Sequence, residues 1–235
     1  MPSDEWGELT EWWLGEVERD PAYRQEVMPL LVDLLDPQPG GRYLELGCGE
    51  GQGLRAVAAR GGRAMGCDLS QELLLHARQS VPVVRARLPE LGWVRCGSFD
   101  GAYVVLVLEH LLETAELFRQ AVGTVRRGGC LVAVLNHPAF SAPGAGPVVD
   151  QADGELLWRW GRYLERTVGR QPAGERTVAF VHRPLGELLT EAAGAGWCLE
   201  RLEERPAGRE AAARDPLLAL QRFVPRLLGV RWSKP

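Results

Sequence analysis

The chain has 235 residues, a formal net charge of −4 and 46% hydrophobic residues. This balance is typical of a globular protein with one sizeable core, and it disfavours a strongly basic nucleic-acid-binding domain. The longest apolar run, Ala102 to Leu108, is far shorter than the roughly 20 residues that span a bilayer, and the acidic N-terminus has no apolar signal core. We therefore expect a cytoplasmic protein with no membrane partner.

Two helical segments are predicted before residue 40. The second begins at Asp20-Pro21, with proline at the first helical position, and Pro29 is expected to kink it or to shift its boundary. The sequence P-Q-P-G-G at 37–41 then ends this N-terminal helical cap.

Strands and helices alternate after this break. The predicted strands cover 42–46, 63–68, 81–86, 102–108 and 130–135, and the predicted helices cover 54–60, 71–79 and 113–126. The run 102–108, A-Y-V-V-L-V-L, is apolar throughout, as expected for a strand covered on both faces. The alternation predicts an α/β fold with a doubly wound parallel sheet.

The regular pattern is interrupted by a segment that we interpret as an insert or lid. It contains a predicted amphipathic helix from Glu155 to Val168, which carries Trp158, Trp160 and Tyr163. A strand at 177–182, a helix at 184–195, a strand at 198–203 and a last strand from Leu217 to Phe223 are predicted beyond it. We interpret 1–235 as a single domain, divided into a cap (1–40), a cofactor-binding core (41–137), the insert (138–181) and the C-terminal part of the sheet (182–235).

The stretch Y-L-E-L-G-C-G-E-G-Q-G at 43–53 forms the first strand-to-helix turn. Ligands of such sheets bind beyond the carboxyl ends of the strands, where glycines allow a tight turn and close approach of the backbone. The spacing fits neither the dinucleotide pattern G-x-G-x-x-G nor the phosphate-binding G-K-[ST]. It fits acidic-x-G-x-G-x-G, and Glu45 at the strand end favours a ligand with positive charge. Asp68, which ends the second strand, is placed to accept hydrogen bonds from ribose hydroxyls.

These residues resemble the class I S-adenosylmethionine-dependent methyltransferase family, and within it the small-molecule group that includes the ubiquinone and menaquinone biosynthesis methyltransferases. The resemblance runs from about Tyr43 to Pro138 and continues more loosely to the C-terminus. F-D-G-A-Y-V-V-L-V-L-E-H at 99–110 resembles the fourth-strand motif, 126–135 the turn and fifth strand, and 182–197 the helix before the sixth strand. The resemblance implies a seven-stranded Rossmann-like sheet whose last strand is antiparallel, with the cap before it and the insert after strand five.

The resemblance also implies S-adenosylmethionine as the cofactor. The residues that it assigns to the cofactor site are Glu45, Gly47, Cys48, Gly49, Gly51, Asp68, Leu69, Leu88, Leu106 and Val107. Glu45 and the glycine turn would hold the methionine part, and Asp68 the ribose. Leu69 and Leu88 would line the adenine pocket. Leu106 or Val107 would lie under the sulfonium.

One departure from the family concerns adenine. Many relatives carry an acidic residue just before the L-P pair, where it contacts the adenine amino group. The segment V-R-A-R-L-P at 84–89 is shorter and has no acid, so adenine recognition would pass to backbone groups.

Methyl transfer from a sulfonium requires mainly that the acceptor is positioned, and it requires a general base only when the acceptor keeps a proton. The candidates for this base are His110, His137 and His182, of which the first two follow strands four and five. The alternative for each is a hydrogen-bonded structural histidine. The five cysteines are scattered without a C-x-x-C pair, so no metal site is predicted.

The tryptophans of the cap and the insert have two interpretations. They are Trp12, Trp13, Trp158 and Trp160. They either form an apolar acceptor pocket or pack the cap onto the sheet.

The sequence thus predicts an S-adenosylmethionine-dependent methyltransferase that acts on a small molecule by direct in-line transfer. The alternatives are a methyltransferase that modifies RNA or protein, which the acidic pI of about 5.7 disfavours, and a non-catalytic protein that binds S-adenosylmethionine.

Overall fold

The computed structural model of the protein describes residues 5–79, 81–214 and 223–235. The cap comprises a 3₁₀ turn at Gly7–Leu9, α1 at Thr10–Arg19, a π-helical turn at Tyr23–Val27 and α2 at Met28–Leu35. The Met28 amide donates to the Tyr23 carbonyl five residues earlier, and Pro29 has no amide hydrogen to restore the α spacing there. The sequence predicts a kink or a shifted boundary at Pro29, and the structure has a change from π-helix to α-helix at this boundary.

The alternating region has the order of elements that the sequence predicts, although the fifth strand begins five residues earlier than predicted, at Val125. Its elements are β1 at Arg42–Leu46, α3 at Gln52–Ala58, β2 at Arg63–Asp68, α4 at Gln71–Ala77, β3 at Val83–Arg85, β4 at Phe99–Val105, a 3₁₀ turn at Leu108–His110, α5 at Thr114–Thr124 and β5 at Val125–Asn136. The fourth strand lies three residues earlier than predicted. It ends before Leu106, whose φ of 54° places it in the left-handed region that a strand cannot use.

The insert is built from hairpins, so the predicted helix from Glu155 to Val168 is wrong. It contains α6 at Pro138–Ser141, β6 at Gly146–Val149, β7 at Leu156–Arg159, β8 at Thr167–Ala173 and β9 at Arg176–His182. Two glycines with positive φ, Gly154 (77°) and Gly161 (60°), bracket β7. Because a left-handed residue ends an α-helix, the helical spacing of the aromatic residues is coincidental, and alternate residues of β7 are the less exposed ones.

The C-terminal elements complete the main sheet. They are α7 at Leu185–Gly194, β10 at Cys198–Arg205, α8 at Arg209–Arg214 and β11 at Leu227–Ser233. The last strand is thus β11, whereas the strand predicted from Leu217 falls on residues 217–222, outside the described residues, and on Phe223, which lies in a turn. The predicted strand at 177–182 pairs antiparallel with β8 in a separate two-stranded sheet.

The main sheet has seven strands in the order β10-β11-β5-β4-β1-β2-β3. β11 pairs antiparallel with both of its neighbours, and the pairings from β5 across to β3 are parallel. The strand order reverses between β1 and β4. β2 and β3 are added on one side of β1, and the chain then crosses to the other side, where β4 and β5 are added. This switch point is where an open α/β sheet leaves a crevice at its carboxyl edge.

Alternating strand residues form a core on each face of the sheet. Ala102 and Val104 pack on the side of α5 and α7, whereas Tyr103 between them packs on the side of α2, α3 and α4. Phe118 of α5 meets Trp232 of β11 edge to face, with ring centroids 5.5 Å apart. Both faces are therefore covered, and the carboxyl ends of the strands remain the open edge.

Candidate active site

A cavity of about 540 Å³ lies at the carboxyl ends of β1, β2 and β4. The predicted cofactor residues that line it are Glu45, Gly47, Cys48, Gly49, Asp68, Leu69, Leu88, Leu106 and Val107. Gly51 does not line it. This residue is the N-cap of α3 and has a φ of 90°. The structure thus brings the predicted cofactor residues together around one cavity.

The glycine turn after β1 has a backbone that larger residues would not fit. Gly47 has a φ of 78°, and a Cβ atom placed on it would lie 2.7 Å from a methyl carbon of Val107. The amides of Gly47 and Cys48 both donate to the carbonyl of Cys67, at 2.8 and 2.9 Å. The turn therefore lies against the ends of β2 and β4, with its backbone exposed to the cavity.

Glu45 is a buried carboxylate at the base of this turn, with only 2% of its surface exposed. Its Oε2 atom is buried without a hydrogen-bond partner among the described residues. Burial raises the pKa of Glu45 well above its usual value, and the nearby charge of Glu50 raises it further. A cationic group in the cavity would supply the missing partner and favour the ionised form.

Asp68 connects the ends of the first two strands. Its Oδ2 accepts a hydrogen bond from the Gly49 amide and its Oδ1 accepts one from the Ser70 amide, both at 2.8 Å. A carboxylate accepts hydrogen bonds at both oxygens, which is the chemistry that ligand hydroxyls require. The predicted ribose-binding residue is therefore held rigidly at the rim of the cavity.

The charges around the cavity are mostly negative. The charged residues that line it are Glu5, Glu45, Glu50, Asp68, Glu113 and Arg87. Arg87 directly precedes Leu88, in the segment where many relatives carry an acid, and it is the only arginine or lysine among the described lining residues. This excess of carboxylates favours a ligand with net positive charge and disfavours an anionic one.

His110 is the one predicted histidine that faces this cavity. Its Nδ1 lies 2.7 Å from the carbonyl oxygen of Ala179 in β9. A carbonyl only accepts, so the hydrogen is on Nδ1 and the Nε2 of the neutral ring carries a lone pair. The ring also meets Trp6 and Phe180 edge to face, with centroids 5.0 and 6.0 Å apart. The imidazole is thus held in one tautomer and one orientation.

The structure places His137 and His182 outside the lining of this cavity. His137 is buried, its Nε2 lies 2.8 Å from Glu204 Oε1, and its Nδ1 accepts the amide hydrogen of Ala139. Burial lowers the pKa of His137, against the opposing effect of the Glu204 carboxylate. His182 directs its Nε2 at the carbonyl oxygen of Tyr163, 2.8 Å away.

The cap and the hairpin formed by β8 and β9 also line the cavity. Trp6, Trp13 and Tyr23 contribute from the cap, and the Trp13 indole donates to Glu50 Oε2 at 2.7 Å. Burial raises the pKa of Tyr23 to about 12, so its phenol stays protonated at neutral pH. Cap and hairpin also share a small apolar core that includes Leu9, Ala173 and Val178.

Several lining residues were not singled out from the sequence. They include Glu5, Trp6, Tyr23, Glu50, Arg87, Val168 and Val181. Of these, Glu50 lies within the glycine turn and Arg87 within the segment V-R-A-R-L-P, so only these two had a local signal. Of the four tryptophans considered, Trp13 lines the cavity, whereas Trp158 stacks on Phe140 and the Trp160 side chain is exposed.

No helix within residues 5–79, 81–214 and 223–235 is both long and apolar enough to cross a membrane.

Comparison with known proteins identifies similar chains. Residues 44–133 match the family model described as a methyltransferase domain. A structure described as an S-adenosylmethionine-dependent methyltransferase from Mesorhizobium loti is 28% identical, with a TM-score of 0.76, over 92% of this chain and 99% of that one. An uncharacterized 37.1 kDa protein of a Streptomyces fradiae transposon is 28% identical over 86% of this chain and 59% of its own length.

A ubiquinone biosynthesis O-methyltransferase from Hahella chejuensis is 31% identical over 51% of this chain and 54% of its own length. The chain thus spans between 54% and 59% of the length of these two curated relatives. The matched segment 44–133 contains the glycine turn, Asp68 and His110, and the sheet order and its antiparallel last strand agree with the fold that the sequence predicted. The comparisons and the fold thus support a class I S-adenosylmethionine-dependent methyltransferase.

Proposed function

We propose that this protein transfers the methyl group of S-adenosylmethionine to a hydroxyl group of a small, uncharged acceptor. The observation that carries the proposal is that one cavity joins a carboxylate-rich strand edge with His110. The Nδ1 of this histidine lies against a backbone carbonyl, so Nε2 is the acceptor nitrogen of the neutral ring. The first feature suits a cationic cofactor, and the second suits an acceptor that must lose a proton. The O-methyltransferase relative supports the choice of oxygen.

The residues of the strand edge fit the cofactor. The unpartnered oxygen of Glu45 offers an ionic partner for an ammonium group, and the glycine turn leaves backbone room beside it. The Asp68 carboxylate at the rim of the cavity is a suitable acceptor for hydrogen bonds from the two ribose hydroxyls. When bound, the cofactor supplies a methyl group on a positively charged sulfur.

His110 would act as the general base. Its Nε2 would accept the hydroxyl proton of the acceptor as the new O–CH₃ bond forms and the S–CH₃ bond breaks, which would leave a neutral thioether. The Ala179 carbonyl would stabilise the resulting imidazolium through Nδ1–H. A base held in a single orientation also limits the orientations that the acceptor can adopt. Such positioning supplies much of the rate in a direct displacement.

The acceptor side of the cavity indicates what kind of molecule binds. Apolar and aromatic side chains line it, including Trp6, Leu111, Val168 and Val181. Cavities of roughly 300–1,000 Å³ hold one drug-sized ligand, and this one of about 540 Å³ must hold the cofactor as well. The five lining carboxylates disfavour phosphate-bearing acceptors, so a neutral small molecule fits better than RNA.

Two measurements test the proposal. Calorimetry is expected to show binding of S-adenosylhomocysteine, whereas NAD and ATP are expected not to stabilise the protein against heat. Transfer of a labelled methyl group is then tested on a panel of small phenols, each paired with its carboxylated analogue. The neutral member of each pair is expected to react faster. Absence of S-adenosylhomocysteine binding would refute the cofactor assignment, and preferential methylation of the carboxylated members would refute the acceptor class.

A further inference from the structure

A second, much smaller cavity of about 20 Å³ lies beside the turn that carries His110. Three charged or titratable residues line it, namely Glu109, His182 and Arg183, and they are 4%, 2% and 6% exposed. We call these three residues the polar node. Buried polar side chains of this kind are normally fully hydrogen-bonded, so an atom without a partner is unusual.

Each residue of the polar node has one buried polar atom without a partner among the described residues. These atoms are Glu109 Oε2, His182 Nδ1 and Arg183 Nε. The remaining groups are well bonded: Glu109 Oε1, for example, accepts from the Asn136 amide at 2.9 Å and from its side-chain nitrogen at 3.1 Å. Within the described part of the chain, the polar node therefore lacks hydrogen-bond partners only at these three atoms, and its other polar groups are not loosely packed.

The hydrogen-bonding character of the three atoms is complementary to one molecule. His182 Nε2 donates to the Tyr163 carbonyl, so Nδ1 of the neutral ring is an acceptor, as is Glu109 Oε2. Arg183 Nε–H is a donor. Two acceptors and one donor match the two hydrogens and a lone pair of water. A metal cation would face the Arg183 N–H group and is therefore excluded.

The size of the cavity agrees with this chemistry. A water molecule needs a cavity of at least about 10–15 Å³ and two to four polar partners. The cavity has about 20 Å³, which leaves room for one water and not for a larger ligand.

We propose that one ordered water completes the polar node, and that the hydrated node positions His110. Arg183 NH1 donates to the carbonyl of Leu108 and NH2 to that of Leu112, each at 2.9 Å, and NH2 also donates to the carbonyl of Leu111. One guanidinium thus holds the backbone on both sides of His110. Glu109 ties the same turn to Asn136 at the end of β5.

The functional meaning of the node rests on the proposed role of His110 as the base. Arg183 directly follows β9, the strand that provides the Ala179 carbonyl to His110 Nδ1. The same segment thus fixes both the backbone and the tautomer of the histidine. Arg183 and the water are therefore positioning groups, and neither touches the acceptor.

The water is tested on the unaltered protein. A crystal structure of the complex with S-adenosylhomocysteine, at a resolution that shows ordered solvent, is expected to contain one water within hydrogen-bond distance of all three unpartnered atoms. An empty cavity, or one filled by a rearranged side chain, overturns the proposal. This result does not depend on any enzymatic activity.

The positioning role is tested by NMR of protein labelled with ¹⁵N-histidine. The chain has only four histidines, and His110→Gln identifies the signal of interest. We expect His110 to show the Nδ1–H tautomer, in contrast to the Nε2–H tautomers of His137 and His182. Arg183→Met is expected to replace the single His110 tautomer by a mixture.

Arg231→Met is the matched control. Arg231 also donates to two backbone carbonyls, those of Leu34 and Leu35, but these residues do not line the active-site cavity. This variant is expected to leave the His110 signal unchanged. If Arg183→Met does not fold, Glu109→Gln, which keeps the side-chain size, is expected to shift the His110 signal in the same direction. A His110 tautomer that is unaffected by the folded node variants contradicts the positioning role, whether or not the proposed function holds.

Discussion

The two walls of the active-site cavity are built in different ways. The cofactor wall consists of the glycine turn, Asp68 and the end of β4, in which short segments at the ends of adjacent strands bond to one another through the backbone. The acceptor wall combines the cap with the β8–β9 hairpin, which are more than 100 residues apart in the chain. Its contacts include the Glu5–Arg170 ion pair and a small apolar core. The cofactor wall is thus part of the main fold, whereas the acceptor wall depends on a separate packing contact.

The strongest test of this contrast removes His110, one of the groups that link the two walls. His110→Gln takes away the proposed base, whose ring lies between the end of β4 and β9. We expect methyl transfer to fall by about 100-fold or more, since general base catalysis typically contributes 10²–10⁴-fold. Calorimetric affinity for S-adenosylhomocysteine is expected to change by less than about twofold, because the cofactor wall stays intact. The exposed His76→Gln serves as control, and full activity of His110→Gln would refute the proposed base.

The acceptor wall is tested through Gly174, which packs on the cap. Gly174 has a φ of 61°, and a Cβ atom there would lie 2.8 Å from the Trp12 ring. Gly174→Ala is expected to lower the free energy of unfolding by about 2–3 kcal/mol, from left-handed backbone strain together with the clash. Hydrogen exchange in 5–19 is expected to accelerate.

Gly154→Ala is the matched control for this variant. Gly154 also has a positive φ, of 77°, in the other hairpin of the insert, but a Cβ atom there meets nothing within 4 Å. Gly154→Ala is expected to lower the free energy of unfolding only by the cost of the left-handed backbone, about 1 kcal/mol. Equal losses in the two variants, as measured by denaturant unfolding, would mean that the contact between cap and hairpin contributes no stability.

The cofactor wall is tested through Asp68. Asp68→Ala is expected to weaken S-adenosylhomocysteine binding by tenfold or more, about 1.4 kcal/mol, because both the ribose contacts and the anchor of the glycine turn are lost. Asp100→Asn is a suitable control, since Asp100 also accepts a backbone amide hydrogen, from Arg42, but near the amino end of β4. Similar losses in both variants would indicate a general effect on the sheet.

The smallest expected effect concerns the pH dependence of Glu45. Its pKa is raised in the folded protein, so the folded state holds this proton more tightly than the unfolded chain does. Stability from this group therefore falls as the pH rises above the ordinary glutamate pKa, toward the raised one. Glu45→Gln is expected to be more stable at neutral pH by about 1 kcal/mol, or about 2–4 °C in Tm, because no buried charge remains unpartnered.

The same substitution is expected to weaken cofactor binding. In the unaltered protein, S-adenosylmethionine affinity is expected to rise with pH as Glu45 ionises, with release of a proton that calorimetry in different buffers detects. Glu45→Gln is expected to abolish this dependence. A dependence that persists in the variant would assign the proton to another group.

Local patterns predicted the cofactor wall well. The bounds of β1 and β2 agree with the prediction to the residue, and all but one of the predicted cofactor residues line the cavity. Each signal lay within a few residues: an apolar run, an acid at its end and glycines at fixed spacing. Their roles toward the cofactor remain predictions.

The insert shows where such patterns fail. The aromatic residues between Glu155 and Val168 have helical spacing, but the positive φ of Gly161 and the pairing of β7 with β6 make this region a hairpin. The partners in this pairing are 7 to 13 residues apart, and such a pairing is not visible in a short window of sequence. Helical spacing alone therefore did not distinguish the two structures.

The sequence by itself determined the family fold, the glycine turn and the two acids at the strand ends, because these depend on residues adjacent in the chain. Only the tertiary structure decided which histidine faces the cavity. His110 meets its partner Ala179 across 69 positions of sequence, and His182 lies in the polar node instead. The tertiary structure also decided that the cap closes the cavity. Leu9 and Trp12 pack against the hairpin, and this contact depends on how distant segments of the chain meet.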